Sequence, residues 1–252
     1  VSAINELKVL DLFSGIGGFS LGLERSGMKT AAFVEIDEKA RSVLKKNWPS
    51  TPIYEDVRLV TKTQLESDGI TGINVVCGGF PCQDISLAGR GAGLAGARSG
   101  LWWEFHRIIK EFQPQFVIAE NVSALRSRGL DEVLWSLDEI GYDAEWHCIP
   151  AAAVGAPHQR DRVWIIAYPR SSGLQRPLVN RGSIPLTTRS SLAQLGDLGV
   201  QVGPSWPCHT EYLRVGDGFS RGMDTLKQCG NAVVPQIPEA IGRALLEAYE
   251  CH

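Results

Sequence analysis

The chain has 252 residues, 44% of them hydrophobic and 21% charged, and a formal net charge of −3. That length suits one large α/β domain or a domain with a small insertion, and the near-neutral balance gives no sign of wholesale polyanion binding. No run approaches the ~20 apolar residues of a membrane span, and residues 1–8 lack the basic-then-apolar pattern of a signal peptide.

Apolar spacing predicts a first strand over residues 8–13, broken by Ser14-Gly15-Ile16-Gly17-Gly18, and a helix over 19–25. A second strand is expected over 30–36, a helix over 38–47, a short strand at 53–54 and another over 74–77. After Gly78-Gly79-Phe80-Pro81-Cys82-Gln83 comes a stretch rich in glycine (Gly89, Gly91, Gly93, Gly96, Gly100), which suits a segment that must move. Helix is expected over 101–112, strand over 116–120, helix over 130–140, and strands over 142–150 and 163–168. From about 169 to 215 apolar periodicity fades, and Arg170, Arg176, Arg181, Arg189 and Arg214 face only Asp197 and Glu211, so a polyanion contact is expected there. The chain closes with Gly230-Asn231-Ala232-Val233-Val234-Pro235 and a helix over 236–249. Short strands alternating with amphipathic helices predict an α/β fold, a mostly parallel sheet covered on both faces.

The cysteines, Cys77, Cys82, Cys148, Cys208, Cys229 and Cys251, show no CxxC spacing, so no metal site and a reduced, cytosolic protein are expected. Cys77 reads as strand core. Cys82 differs, because it stands in a Gly/Pro turn at the mouth of a buried strand, where a thiolate is placed as a nucleophile. The strand–glycine–helix start has the shape of a nucleotide-type cofactor loop, although Gly15-x-Gly17-Gly18 is not the dinucleotide pattern. Glu35, ending the next strand roughly 20 residues later, is placed to accept from ribose hydroxyls. Asp56 follows the third strand and is placed to accept from an adenine amino group. An acidic rim of this kind disfavours a pyrophosphate and fits a cationic sulfonium. Glu120, ending a buried strand, should have a raised pKa and could deliver a proton near neutrality. Arg160 and Arg162 alternate around Asp161, so both guanidiniums could project toward one site with Asp161 holding them as an ion pair.

In this order, Asp11-Leu12-Phe13-Ser14-Gly15-Ile16-Gly17-Gly18, Glu35, Asp56, Pro81-Cys82-Gln83, Glu120-Asn121-Val122, Gln159-Arg160-Asp161-Arg162 and Gly230-Asn231-Ala232-Val233-Val234 resemble the motifs of the DNA (cytosine-5)-methyltransferase family. The resemblance runs from about residue 8 to 248, except over the Arg-rich stretch. It implies a Rossmann-like methyltransferase fold, S-adenosyl-L-methionine as cofactor and double-stranded DNA as substrate. It also implies a prokaryotic, cytoplasmic monomer away from membranes, either solitary or paired with a restriction endonuclease. Residues 1–167 would form the catalytic domain, 168–215 a short target-recognition region, and 216–252 a segment returning to the catalytic domain.

The resemblance implies catalytic roles for Cys82, Glu120, Arg160 and Arg162. Cys82 would attack cytosine C6, Glu120 would act at N3, Arg162 would hold O2, and the target base would be flipped from the duplex. The cofactor would be held by Phe13, Ser14, Gly15, Ile16, Gly17, Gly18, Glu35, Ile36, Asp56, Val57, Pro81, Leu101, Asn231 and Val233. The chain departs from the family pattern at His158, where many members have Gln, and in the shortness of the recognition region. That shortness keeps a second reading open, a catalytically impaired homologue that binds cofactor and DNA.

Overall fold

The structure is a computed structural model and describes residues 6–81, 100–156, 159–172 and 232–250. Cys82, His158, Asn231, the glycine-rich stretch 83–99 and the expected recognition region beyond residue 172 lie outside the described residues.

Among the described residues, seven strands form one sheet. They are β1 (Lys8–Leu12), β2 (Lys29–Val34), β3 (Ile53–Tyr54), β4 (Ile73–Gly79), β5 (Phe116–Val122), β6 (Tyr142–Pro150) and β7 (Asp161–Pro169), in the spatial order β3-β2-β1-β4-β5-β7-β6. The first five pair in parallel, whereas β7 is antiparallel to both β5 and β6. Only β7 therefore runs against the rest. The strand order reverses at β1 and β4, and in open α/β sheets ligands bind beyond the carboxyl ends of strands at such a point.

The α-helices among the described residues are α1 (Gly18–Ser26), α2 (Glu38–Asn47), α3 (Lys62–Ser67), α4 (Leu101–Phe112), α5 (Leu130–Glu139) and α6 (Gln236–Glu250). Consecutive strand residues point to opposite faces, and the core divides accordingly. Val9, Val75, Ile118 and Ile166 pack with Phe19 and Leu23 of α1 and Ile237, Ile241 and Leu245 of α6. Leu10, Val76, Val117 and Ile165 pack on the other face with Phe105 and Ile108 of α4 and Val133 and Leu137 of α5. Burial of Trp102, Phe105, Ile108, Ile109 and Phe112 along α4 follows the helical period, and each contributes about 2 kcal/mol before the cost of ordering is counted. Among the described residues, no helix is long and apolar enough to cross a membrane.

The expected α/β architecture and mostly parallel sheet are present. The helices at 38–47 and 101–112 and the strand at 142–150 match the expected bounds. The second strand ends two residues early, at Val34, which leaves Glu35 and Ile36 beyond the sheet edge. The fourth and fifth extend further than expected, to Gly79 and Val122.

Candidate active site at the carboxyl edge of the sheet

Because β1, β2, β3 and β4 run parallel, their carboxyl ends open on one edge. A cleft of about 480 Å³ lies there, and its walls include Phe13, Glu35, Ile36, Asp56, Val57, Pro81 and Leu101. Seven of the expected cofactor residues, far apart in sequence, thus meet in one cavity. Val34, Glu55, Arg58 and Glu104 complete the lining, so four carboxylates face it against one guanidinium.

Phe13 is one of two non-glycine residues with a left-handed backbone among the described residues, at φ 52. That conformation costs on the order of 1 kcal/mol and persists only where the surroundings impose it. Here it turns the ring out of β1 into the cleft, where it lies 6.4 Å from Phe105. The Glu35 carboxylate accepts from the amides of Gly15 (2.6 Å) and Asp37 (2.8 Å), so it is fixed before any ligand arrives. Asp56 is held differently. Its Oδ1 accepts from the Arg58 amide (3.0 Å), and both oxygens accept from the Arg58 guanidinium, closest at 2.7 Å. These hydrogen bonds hold the Asp56 carboxyl below the usual carboxylate range. Arg107 Nη2 donates to the Val57 carbonyl at 3.0 Å, tying this wall to α4.

The glycine turn serves as a joint rather than as a wall. Ser14 Oγ donates to the Asp11 carbonyl (2.6 Å), and the Ser14 amide donates to the Val34 carbonyl (3.1 Å), pinning β1 to β2. A Cβ on Gly18 would stand 2.5 Å from the Val233 carbonyl oxygen, so the absence of a side chain lets the C-terminal motif close on the turn. Val233 is thereby brought to the loop, although neither it nor Ser14, Gly15, Ile16, Gly17 or Gly18 is among the residues walling the cleft.

Asp11 beneath this turn was not singled out by its position in the motif. It is fully buried, Ser20 Oγ donates to its Oδ2 at 2.7 Å, and its Oδ1 has no hydrogen-bond partner among the described residues. Burial pushes its carboxyl up to about 7 against the opposing pull of Ser20. The Cys77 thiol, opposite it across the β1–β4 ladder, is likewise pushed up by burial and is no nucleophile. Below the ordinary carboxylate value both folded and unfolded chains hold the Asp11 proton. Between that value and about 7 only the folded chain does, so stability falls as pH rises across this window and is level above it. Asp11→Asn cannot ionise. Its melting temperature should exceed the wild-type value at about pH 8, with the gain shrinking steadily toward about pH 4. Parallel melting curves for the two proteins across that range would show that Asp11 does not titrate.

On β5, next to β4, Glu120 is buried and ion-pairs through Oε1 with Arg162 Nε at 2.8 Å. Burial pushes its carboxyl above the usual range and outweighs the two cations, Arg162 first and Arg160 second, that pull it down. The backbone makes room for this carboxylate, since a Cβ on Gly79 would lie 2.9 Å from Glu120 Oε2. Sequence reasoning named Glu120 but gave no role to Asn121. The Asn121 amide donates to the Phe80 carbonyl at 2.8 Å, tethering the turn that leads through Pro81 to Cys82. One expectation is corrected. Asp161 does not hold the arginines through its carboxylate: Arg162 Nη1 donates to the Asp161 main-chain carbonyl at 3.0 Å, and its ion pair goes to Glu120. The antiparallel β5–β7 register is the cause, because it places Arg162 opposite Val122, two residues beyond Glu120 and on the same face of the sheet.

The model of the C-5 cytosine-specific DNA methylase family matches residues 7–199. A type II methyltransferase of Neisseria gonorrhoeae, M.NgoPII, is 36% identical over 238 residues, covering 91% of this chain and 69% of that protein. Another, M2.BsuMI of Bacillus subtilis, is 35% identical over 169 residues, covering 64% of this chain and 42% of that protein. The chain thus spans about two fifths of the length of several curated relatives it matches. Among solved structures, an E. coli prophage protein described as a DNA modification methyltransferase superposes with a TM-score of 0.57 at 30% identity, covering 68% of this chain and 49% of that one.

Proposed function

Because the chain belongs to the C-5 cytosine-specific DNA methylase family, we propose that it transfers a methyl group from S-adenosyl-L-methionine to carbon 5 of cytosine in double-stranded DNA. The observation that carries this reading is the placement of Glu120. Its buried, guanidinium-bonded carboxyl stands one strand from β4, whose end leads to Phe80 and to Pro81 in the wall of the acid-lined cleft, just before Cys82 in sequence.

The residues around the cleft fit an adenosyl sulfonium. Phe13, Ile36, Val57 and Leu101 offer apolar surface for an adenine, Glu35 and Asp56 offer acceptors, and the carboxylate excess favours a cation over a phosphate. When bound, S-adenosylmethionine supplies an electrophilic methyl group. Cytosine C5 is too weak a nucleophile to take it unaided, so the chain must activate the ring. The Cys82 thiolate adds to C6, and the electron pair of the C5–C6 bond moves into the ring as Glu120 delivers a proton or hydrogen bond to N3. Arg162, through the face not turned to Glu120, holds the base at O2, and Arg160 orients it. After C5 is methylated, loss of its proton expels the thiolate and restores the double bond. The base must leave the duplex for these groups to reach it.

A second reading rests on the shortness of the stretch expected to read the DNA, residues 168–215, between the flanking motifs. In that reading the protein binds cofactor and DNA without turnover. The type II names of the relatives favour a restriction endonuclease as functional partner. Incubation with labelled S-adenosylmethionine and mixed-sequence DNA, followed by nucleoside mass spectrometry, separates the readings. The expected product is 5-methyldeoxycytidine. Cofactor binding without any methylated nucleoside supports the second reading, and methyl on an exocyclic nitrogen refutes both.

A further inference from the structure

Arg41 belongs to neither the motifs nor the cleft lining. It lies in the first turns of α2, where the positive end of the helix dipole disfavours a cation. Its side chain is only 15% exposed and reaches back past the helix start. There Nη1 donates to the carbonyls of Ile36 (2.7 Å) and Glu35 (3.2 Å), while Nη2 pairs with Glu55 Oε1 at 3.2 Å. Both carbonyls follow the last residue of β2, beyond the ladder that would otherwise satisfy them. Glu35, Ile36 and Glu55 all line the cleft. One guanidinium therefore spans two walls, the end of β2 and the end of β3.

We propose that Arg41 is a positioning residue for the cofactor: it locks the Glu35–Ile36 wall to the Glu55 wall and so sets the spacing in which S-adenosylmethionine is held. The inference rests on the function proposed above. A plain staple of the β2–α2 turn would make the same bonds but would not act selectively on one ligand. The exposed Glu55 carboxylate, 73% accessible, contributes little to stability as an ion pair, whereas the two carbonyl bonds fix the backbone of residues that wall the cleft. Part of the effect should thus survive in a lysine, which can keep one carbonyl bond but cannot span the walls.

The test is calorimetric binding of S-adenosylmethionine to wild type, Arg41→Ala and Arg41→Lys, with steady-state methylation and melting temperatures alongside. Arg41→Ala should weaken cofactor binding about ten-fold, Arg41→Lys less, with KM for cofactor rising in parallel. At saturating cofactor, kcat and the KM for DNA should stay within about two-fold of wild type. Wild type that binds cofactor beside a folded Arg41→Ala that binds it equally well overturns the inference alone. So does a joint fall in cofactor affinity, DNA affinity and melting temperature, the mark of a general staple. If the alanine variant does not fold, the lysine variant carries the same comparison. Wild type that binds no S-adenosylmethionine overturns the proposed function, and the inference with it.

Discussion

Cys82→Ser is expected to abolish methyl transfer, lowering the single-turnover rate by at least about a thousandfold. A serine hydroxyl is almost wholly protonated near neutrality and is a far weaker nucleophile than a thiolate. The turn before residue 82 is held by Asn121 on the Phe80 carbonyl, a contact the substitution leaves alone. Cofactor affinity should therefore persist while chemistry fails. Cys77 cannot substitute, because it is buried on β4 with its thiol pushed up. Rapid-quench measurement of methylated DNA decides the matter, and a serine variant with a tenth or more of the wild-type rate would remove covalent catalysis from the mechanism.

Glu120→Gln is expected to slow the chemical step by about 100- to 10,000-fold. Glutamine keeps the shape and can still accept from Arg162 Nε, so the half-buried guanidinium keeps a partner and the fold should survive. What is lost is a proton that the acid can release to the ring. Since burial raises the Glu120 carboxyl, its acid form persists to higher pH than that of an exposed glutamate, and activity should fall as pH rises through the raised value. The glutamine variant should lack that alkaline limb. A pH profile of kcat checks both points, and an unchanged rate or an unchanged alkaline limb would take Glu120 out of its role.

Much of the candidate site was legible because strand ends advertise themselves. An apolar run followed by Phe13-Ser14-Gly15, by Glu35 or by Glu120-Asn121 places chemistry at a sheet edge, and parallel topology brings those edges together. Helix α3 was not legible, since Leu65 is the one buried residue in its six and gives no period. Its start is instead marked by Thr61, whose side chain accepts from the Gln64 amide. Arg41, Arg58 and Arg107 stand in no motif, and nothing local in the sequence marks them. Their partners, the Ile36 and Val57 carbonyls among them, are fixed by tertiary packing that no local pattern encodes. The Arg162 pairing failed as an expectation for a related reason. Adjacent Asp161 was the obvious partner along the chain, whereas antiparallel pairing of β5 and β7 supplied a buried one across the sheet. Asp11 read as part of a turn motif because burial, not sequence position, sets its proton affinity.

The most direct measurement of covalent cytosine-5 chemistry is a trap with duplex DNA carrying 5-fluorocytosine. Fluorine on C5 cannot leave as a proton does, so methylation at that carbon should freeze the enzyme on the base. With S-adenosylmethionine present, wild type should form a complex that survives denaturation, and peptide mapping should place the DNA on Cys82. Cys82→Ser should form none. A wild-type protein that methylates ordinary DNA yet yields no such complex, or one attached elsewhere, would contradict the mechanism.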